Sequence, residues 1–184
     1  MRCLWLLALL LPLGSAAAGA DDAWQALREG RALLLMRHAT APGTGDPANF
    51  RLDQCATQRN LDAQGRAEAR RWGELLARQG IERPRILSSR WCRARDTASG
   101  LQLGPVQPLA ALDSLFQQRS DGAEQTAELI RTINQLPADA PLVLVSHQVN
   151  ITALTGIFPA SGEGLILPLP LSPRAQPLAR IPAP

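Results

Sequence analysis

Three short segments that read as strands, two of them apolar runs, constrain the fold of this 184-residue chain more than any other feature of its sequence. They lie at residues 31–36 (RALLLM), 85–89 (RILSS) and 142–146 (LVLVS). Short unbroken apolar runs are typical of strands buried on both faces, although length alone leaves a helical segment open for the first run. Stretches with helical spacing of apolar residues follow them, at 61–79, 91–101 and 121–136. The alternation predicts βαβ units, and hence a three-layer α/β/α domain with a mainly parallel central sheet.

Shorter segments complete the predicted order of elements. They are a strand at 106–109, a short helix at 149–156 and a final strand at 163–169. The polar segment 41–60 is rich in Gly, Pro, Asp and Asn, and a loop of this length is usually functional. Six of the 15 prolines lie at or after Pro168, so we expect the chain past Ser172 to be extended or disordered.

The first twenty residues have the layout of a secretory signal peptide. Arg2 precedes an apolar run at 4–13, which is shorter than the ~20 residues a spanning helix needs. We expect cleavage after Ala20, a periplasmic or secreted product and no stable membrane span afterwards, with an uncleaved N-terminal anchor as the alternative. The predicted organisation is a signal peptide at 1–20, one catalytic domain at 21–172 and a Pro-rich tail at 173–184.

Export changes the expected state of the cysteines. Loss of Cys3 with the signal leaves Cys55 and Cys92, an even pair in an oxidising compartment. We therefore predict a disulfide between them, with two unpaired buried thiols as the alternative. The net charge of +3 is too small and too scattered for a nucleic-acid binder. Three Cys and two His also exclude a cysteine-rich scaffold and a histidine-rich metal store.

Histidines and arginines follow the predicted strands at the point where each strand ends. These residues are Arg37 and His38 after the first strand, Arg90, Arg93 and Arg95 after the second, and His147 after the third. In open parallel sheets, ligands bind beyond the carboxyl ends of the strands. A lone histidine at such a place is usually part of a turn or a helix start, but here two imidazoles and several guanidinium groups share one edge. The sequence therefore predicts a binding site at this edge.

Phosphate chemistry suits this set of side chains. Guanidinium groups bind phosphate oxygens in bidentate fashion, so Arg37 and Arg93 can hold a phosphate dianion. A neutral imidazole can attack phosphorus when its other ring nitrogen is fixed, and nearby guanidinium charge lowers its pKa. The second histidine can stabilise the charge on the equatorial oxygens in the transition state. The scheme requires neither a metal nor another cofactor.

Three motifs in this sequence resemble those of the histidine phosphatase superfamily, which has the phosphoglycerate-mutase-like fold. Residues 35–39 (LMRHA) resemble its Arg-His-Gly signature, and residues 88–98 (SSRWCRARDTA) resemble its second motif. Residues 144–147 (LVSH) are similar to the strand that carries its second histidine. Two departures are Ala39 in place of the usual Gly and Arg90 in place of the usual Pro.

The resemblance assigns a role to each matched residue. It implies that His38 is the nucleophile that becomes phosphorylated, and that Arg37, Arg93 and His147 form the phosphate pocket. Asp113 lies near the position of the family's general acid, although an Asp often caps a turn and some compact relatives have no dedicated acid. Further residues that can reach the pocket are Arg59, Arg90, Gln148 and Asn150, each of which can equally serve helix capping, loop ordering or solvation.

The resemblance implies an exported phosphomonoesterase that acts on a small phosphorylated substrate through a phosphohistidine intermediate. The size and export signal are similar to those of bacterial phosphatases that remove phosphate from lipopolysaccharide core heptose. The alternative from another class is a non-catalytic module that binds phosphate or a phosphosugar. A metal hydrolase is disfavoured, because the histidines and cysteines lack compact ligand spacing and no His-Glu-x-x-His motif is present.

Overall fold

The computed structural model describes residues 15–116, 120 and 122–184 of the chain. Its strands are β1 Ala32–Arg37, β2 Arg85–Ser88, β3 Val106–Pro108, β4 Leu142–Ser146, β5 Gly164–Pro168 and β6 Ala179–Ile181. Its helices are α1 Ser15–Arg28, α2 Ala63–Arg78, α3 Cys92–Gly100, α4 Gly122–Asn134 and α5 Gln148–Thr155. Single turns of 3-10 helix lie at Cys55–Thr57 and Ala110–Leu112.

The strands form one mixed sheet in the order β3-β2-β4-β1-β5-β6. The first four strands of this order are parallel, whereas β5 and β6 run antiparallel to their neighbours. The predicted fold class is therefore confirmed. The strand expected at 163–169 is present as β5, but it is not the last strand, because the tail supplies β6. Ala179 of the tail pairs with Ile166 of β5, so this part of the predicted tail is extended and belongs to the sheet.

The helices cover both faces of the sheet, and the alternation of β1 shows how the two cores are divided. Leu34 and Met36 pack into a core that includes residues of α1, α2 and α3. Leu33 and Leu35 face the opposite core, which includes residues of α4 and α5. Both faces of β1 are therefore apolar, since each strand residue is covered by a helical layer. This explains why the strand reads as an unbroken apolar run in the sequence.

Helix α1, like β6, is an element that the sequence analysis missed. It begins at Ser15 and continues through Ala20, the predicted cleavage point, to Arg28. Its side chains Trp24 and Leu27 are buried in the first core, so the part beyond Ala20 packs as an integral helix. The remainder of the predicted signal peptide, residues 1–14, lies outside the described residues. Within the described part of the chain, no helix is both long enough and apolar enough to cross a bilayer.

Helix α2 lies unusually close to the segment that follows β1. The Asp62 side chain caps it by accepting a hydrogen bond of 2.7 Å from the Gly65 N–H. A Cβ atom at Gly65 would lie 2.0 Å from the Thr40 carbonyl oxygen, so only glycine permits this approach. The buried Glu68 carboxylate, one turn further on, accepts hydrogen bonds of 2.9 Å from the Thr40 N–H and 3.0 Å from its hydroxyl. The chain just after the first strand is therefore fixed from one side by α2.

A disulfide joins Cys55 and Cys92, as predicted, with their Cα atoms 5.6 Å apart. It fastens the long segment 41–60 to the first residue of α3. Gln58 adds a second link, because its side-chain carbonyl accepts a hydrogen bond of 2.9 Å from the Cys92 N–H. The segment expected to be an irregular loop is consequently attached to the same helix that carries Arg93.

Candidate active site

Four of the predicted site residues line one cavity at the carboxyl edge of the parallel strands. Arg37 is the last residue of β1, His38 follows it, His147 follows β4, and Arg93 lies in the first turn of α3. The cavity has a volume of about 220 Å³ and its other lining residues include Asp46 and Arg59 of the long loop. The strand order places β1 beside β4, which is why two histidines more than one hundred positions apart meet.

His38 is held in one tautomer by the backbone. Its Nδ1 atom lies 2.8 Å from the Ala39 carbonyl oxygen, which can only accept, so Nδ1 carries the proton and Nε2 the lone pair. The side chain is buried, and the Ala39 N–H is itself fixed on the Thr97 hydroxyl at 3.0 Å. Burial, together with the charge of Arg93, lowers the pKa of His38 to about 3. The imidazole is therefore neutral and nucleophilic at any ordinary pH.

His147 is held in a different way, by a side chain. Its Nε2 atom lies 2.8 Å from the Ser89 hydroxyl oxygen, and its Nδ1 atom is buried without a hydrogen-bond partner among the described residues. The ring centroids of His38 and His147 are 5.4 Å apart, with the planes at 65°. Burial lowers the pKa of His147 well below its usual value, and the neighbouring His38 and Arg93 act in the same direction.

Three guanidinium groups surround the imidazoles. Arg93 is 3% exposed, and its Nη1 donates a hydrogen bond of 2.8 Å to Asp46. Arg37 donates from Nη1 to the Pro159 carbonyl at 2.9 Å. The Nε atoms of Arg37 and Arg93 are buried and have no acceptor among the described residues. Burial lowers the pKa of Arg37, Arg59 and Arg93 from their ordinary value, because it disfavours the charged form of each guanidinium group. The three groups concentrate positive charge where an anion can bind.

Asp46 is a site residue that the sequence analysis did not identify. Its Oδ1 accepts from Arg93 at 2.8 Å and from the Arg59 N–H at 3.1 Å, and its Oδ2 accepts from the Trp91 indole at 3.1 Å. Each of these partners is a donor, and the Asp46 side chain is 8% exposed. Its only signal in the sequence was its place in the Gly-Thr-Gly-Asp-Pro stretch of the long polar segment. Asp46 holds Arg93 and the loop in one arrangement.

Asp113 lies outside the cavity that His38 faces. It is buried, and its carboxylate accepts from the Arg90 N–H at 2.8 Å and from the Arg90 Nε at 2.7 Å. Its Oδ1 atom is 3.3 Å from the Ser89 hydroxyl oxygen, the same hydroxyl that contacts His147. Asp113 lines a neighbouring groove instead. The structure thus places the predicted acid behind His147, one side chain removed from the cavity.

The remaining candidates divide between the cavity and its supports. Arg59 lines the cavity and donates to the Gly45 carbonyl at 2.9 Å and to the Ala41 carbonyl. Gln148 also lines it, but its side chain is bonded along α5 to Thr152 at 2.9 Å. Asn150 donates to the Asp113 carbonyl at 2.6 Å and so orders the connection after the second 3-10 turn. Arg90, which is half-exposed, pairs with Asp113 and does not line the cavity.

The three-layer α/β domain has a phosphoglycerate-mutase-like fold, and its cavity joins two imidazoles to three guanidinium groups, a set of side chains suited to an anion. The sequence model of the histidine phosphatase superfamily, branch 1, matches residues 33–116, which carry Arg37, His38 and Arg93. The matched residues make up less than half of the chain and are similar to this family, and the similarity supports a phosphatase activity. His147 lies outside the matched residues and joins the site through the fold. A search of curated proteins finds no match.

Solved structures share the fold at low sequence identity. The protein histidine phosphatase SixA complexed with tungstate is 19% identical, with a TM-score of 0.59 over 83% of this chain and 97% of that chain. A SixA phosphohistidine phosphatase from Agrobacterium tumefaciens, described as putative, is 22% identical, with a TM-score of 0.55 over 83% and 98%. Mycobacterial glucosyl-3-phosphoglycerate phosphatase with inorganic phosphate is 18% identical, with a TM-score of 0.51 over 74% and 89%. These similarities establish the architecture.

Proposed function

We propose that the protein is an exported phosphomonoesterase that hydrolyses its substrate through a phosphohistidine on His38. The observation that carries the proposal is the His38 ring, whose Nδ1 is fixed on the Ala39 carbonyl inside a cavity lined by Arg37, Arg59 and Arg93. The fixed ring leaves the Nε2 lone pair free to attack phosphorus, and the guanidinium groups supply the charge that holds a phosphate there.

The reaction has two displacement steps at phosphorus. In the first, His38 Nε2 forms a bond to phosphorus while the bond from phosphorus to the substrate oxygen breaks. In the second, water attacks the phosphohistidine and releases inorganic phosphate. Arg37, Arg93 and His147 hold the equatorial oxygens, where charge accumulates in the loose transition state. The chemistry needs positioned donors more than a strong base, which suits a cavity built from guanidinium groups.

Asp113 remains in the proposed catalytic set because it would assist protonation of the leaving oxygen. Because it lies behind Ser89 and His147, its assistance has to pass through them. A leaving alkoxide needs a proton, and general acid catalysis of this kind contributes roughly 10²–10⁴-fold. Asp113 therefore acts as a positioning group in this proposal.

The proposed substrate is a small phosphorylated molecule, with a lipopolysaccharide core sugar phosphate as the leading candidate. We propose export to the periplasm or medium after removal of residues 1–20, which would favour this substrate class, and the disulfide is compatible with an oxidising compartment. Two aromatic rings, Phe116 and Phe158, line the cavity and are 43% and 69% exposed. They offer apolar surface to the part of the substrate that lies outside the phosphate pocket.

A non-catalytic phosphate-binding module is the second candidate, and Asp46 is the observation that favours it. Asp46 is the one carboxylate among the described lining residues of the cavity, and it is already paired with Arg93. A site without a carboxylic acid near the leaving oxygen can bind phosphate without turning it over.

Trapping the phosphoenzyme separates the two functions. Wild-type protein quenched during turnover of a labelled phosphate ester should carry acid-labile, alkali-stable label, and His38→Ala should carry none. Arg95→Ala, an exposed arginine on the same helix as Arg93, is the control and should retain the label. Label persisting in His38→Ala would remove His38 from the mechanism. Tight phosphate binding without turnover of aryl or sugar phosphates would establish the binding module.

A further inference from the structure

A chain of three buried side chains runs from the cavity floor into the protein. Asp113 Oδ1 lies 3.3 Å from the Ser89 hydroxyl oxygen, and that oxygen lies 2.8 Å from His147 Nε2. Ser89 is completely buried, and its hydroxyl oxygen also accepts a hydrogen bond of 3.2 Å from the Trp91 N–H. None of the motifs singled out in the sequence gave Ser89 a role.

The direction of these hydrogen bonds follows from the inventory of donors. A hydroxyl has one hydrogen and two lone pairs, and the Trp91 N–H uses one lone pair. An ionised carboxylate can only accept, so the Ser89 hydrogen points to Asp113. The second lone pair of Ser89 then accepts from His147, which places the ring hydrogen on Nε2. The Nδ1 of His147 is left with a lone pair, buried and without a partner among the described residues.

We propose that Ser89 is a positioning residue that couples Asp113 to His147, and that His147 Nδ1 carries the proton to the leaving oxygen. The proposal rests on the phosphatase function proposed above. A substrate monoanion arrives with one P–O–H group and gives that proton to Nδ1. Nδ1–H then donates it to the bridging oxygen as the P–O bond breaks and the His38 Nε2–P bond forms. The alcohol leaves neutral, and His147 returns to its starting tautomer.

The charges around His147 explain why the proton has to come with the substrate. The groups that face it are the imidazole of His38, the guanidinium groups of Arg37, Arg59 and Arg93, and, through Ser89, the carboxylate of Asp113. The three guanidinium groups oppose a proton on Nδ1 until a phosphate neutralises them. The Asp113 charge then stabilises the transient imidazolium through Ser89. Asp46, the carboxylate that lines the cavity, is paired with Arg93.

The leaving group provides the test, because a good leaving group needs no proton. Ser89→Ala and Asp113→Asn should each lower kcat for a simple alkyl phosphate by about 10²-fold. The same variants should lower kcat for 2,4-dinitrophenyl phosphate by no more than about 3-fold, since this phenolate leaves unprotonated. Ser89→Thr, which keeps the hydroxyl, should recover most of the alkyl phosphatase activity. Ser88→Ala, which removes an adjacent buried hydroxyl that donates to the Ser89 carbonyl oxygen and not to Asp113, is the matched control.

The pH profile of the wild-type protein tests the same proposal without a variant. The second pKa of a phosphate monoester is about 6. kcat/KM for the alkyl phosphate should fall above that pH, as the monoanion disappears, whereas kcat/KM for the dinitrophenyl ester should not follow the same curve. His38 stays neutral across this range, because its pKa is about 3. The guanidinium groups stay protonated across it, as guanidinium groups do at any ordinary pH.

Each result counts for or against the coupling. Equal losses on both substrates would show that Ser89 and Asp113 only maintain the structure. A leaving-group effect in Asp113→Asn but not in Ser89→Ala would make Asp113 a direct acid. Dinitrophenyl phosphate should still phosphorylate His38 in Ser89→Ala. Absence of a phosphoenzyme in the wild type would sink the phosphatase mechanism itself, which separates the two failures.

Discussion

The floor and the wall of the cavity are built by different means. The floor comprises Arg37, His38 and His147, which sit at the ends of β1 and β4. Its geometry is fixed by the sheet and by backbone groups, such as the Ala39 carbonyl on His38. The wall is formed by the segment 41–60, which is held by side chains and by a disulfide. The difference teaches that the position of His38, the proposed nucleophile, is a property of the fold, whereas the shape of the cavity around it is a property of the loop.

Arg93 is the point where floor and wall meet, so its removal should have the largest effect. Arg93→Ala takes away a buried charge that contacts Asp46 of the wall and faces the two histidines of the floor. We expect kcat/KM to fall by about 10³-fold, because charge-assisted donors in a water-poor site contribute most in the transition state. Steady-state kinetics against Arg95→Ala, an exposed neighbour on α3, measures the effect. Unchanged efficiency would show that another arginine holds the phosphate.

The floor should make the protein sensitive to acid. The pKa of His38 is about 3 in the folded protein against 6.5 ordinarily, so between these values the unfolded chain binds a proton that the folded chain does not. Stability is therefore fully present above pH 6.5 and declines as the pH falls toward 3. The loss reaches on the order of 4 kcal/mol. Urea unfolding of wild type and His38→Gln at pH 7 and pH 4 measures it.

His38→Gln should flatten this pH dependence, and His147, whose pKa is also lowered, accounts for what remains. Asp53→Asn, an exposed change in the wall, is the control and should keep the wild-type acid sensitivity. If the His38 variant lost stability with acid as steeply as the wild type, the buried neutral state of His38 would not be the cause.

The floor could be predicted from the sequence, since a strand buried on both faces leaves an unbroken apolar run. The residue that follows such a strand lies at the carboxyl edge of the parallel sheet. This is why Arg37, His38 and His147 were found as a set. Asp46 was not found, because its position depends on a loop path that the Cys55–Cys92 link and Gln58 define through contacts distant in sequence.

The two ends of the chain escaped prediction for other physical reasons. The segment of α1 beyond Ala20 follows a predicted signal peptide, and its buried pair Trp24 and Leu27 was too short a pattern to stand out. β6 has three residues between prolines and exists through pairing with β5. The ion pair of Arg180 in β6 with the buried Glu163 beside β5, at 2.7 Å, adds to that pairing. Neither tertiary contact leaves a periodic signal in the local sequence.

Breaking the disulfide tests whether the wall can be loosened without displacing the side chains of the floor. The double variant Cys55→Ser/Cys92→Ser opens a link that spans 37 positions. For a loop of this size, the chain-entropy model predicts a loss of roughly 3–4 kcal/mol in the free energy of unfolding. KM should rise more than kcat falls, because loop residues line the cavity, whereas His38, the proposed nucleophile, stays at the end of a sheet strand. Denaturant unfolding and steady-state kinetics measure the two effects.

The same comparison has a chemical control. A thiol reductant should move the wild-type protein toward the behaviour of the double variant and should leave the variant itself unchanged. Loss of phosphohistidine formation in the double variant, at saturating substrate and in folded protein, would contradict the separation of wall from floor.

Asp46 should give the smallest effect, and also the most informative one. Asp46→Asn keeps an oxygen for the Arg59 N–H but removes the charge that pairs with Arg93. If Asp46 orients Arg93 for the phosphate, kcat/KM should fall by roughly 10–100-fold, mainly through KM, since a positioned charge pair of this kind is worth about 1–3 kcal/mol. Kinetics against Asp53→Asn, an exposed aspartate in the same loop, makes the comparison. A rise in phosphate affinity would instead show that Asp46 competes with phosphate for Arg93, and the wall would then be a gate over the floor.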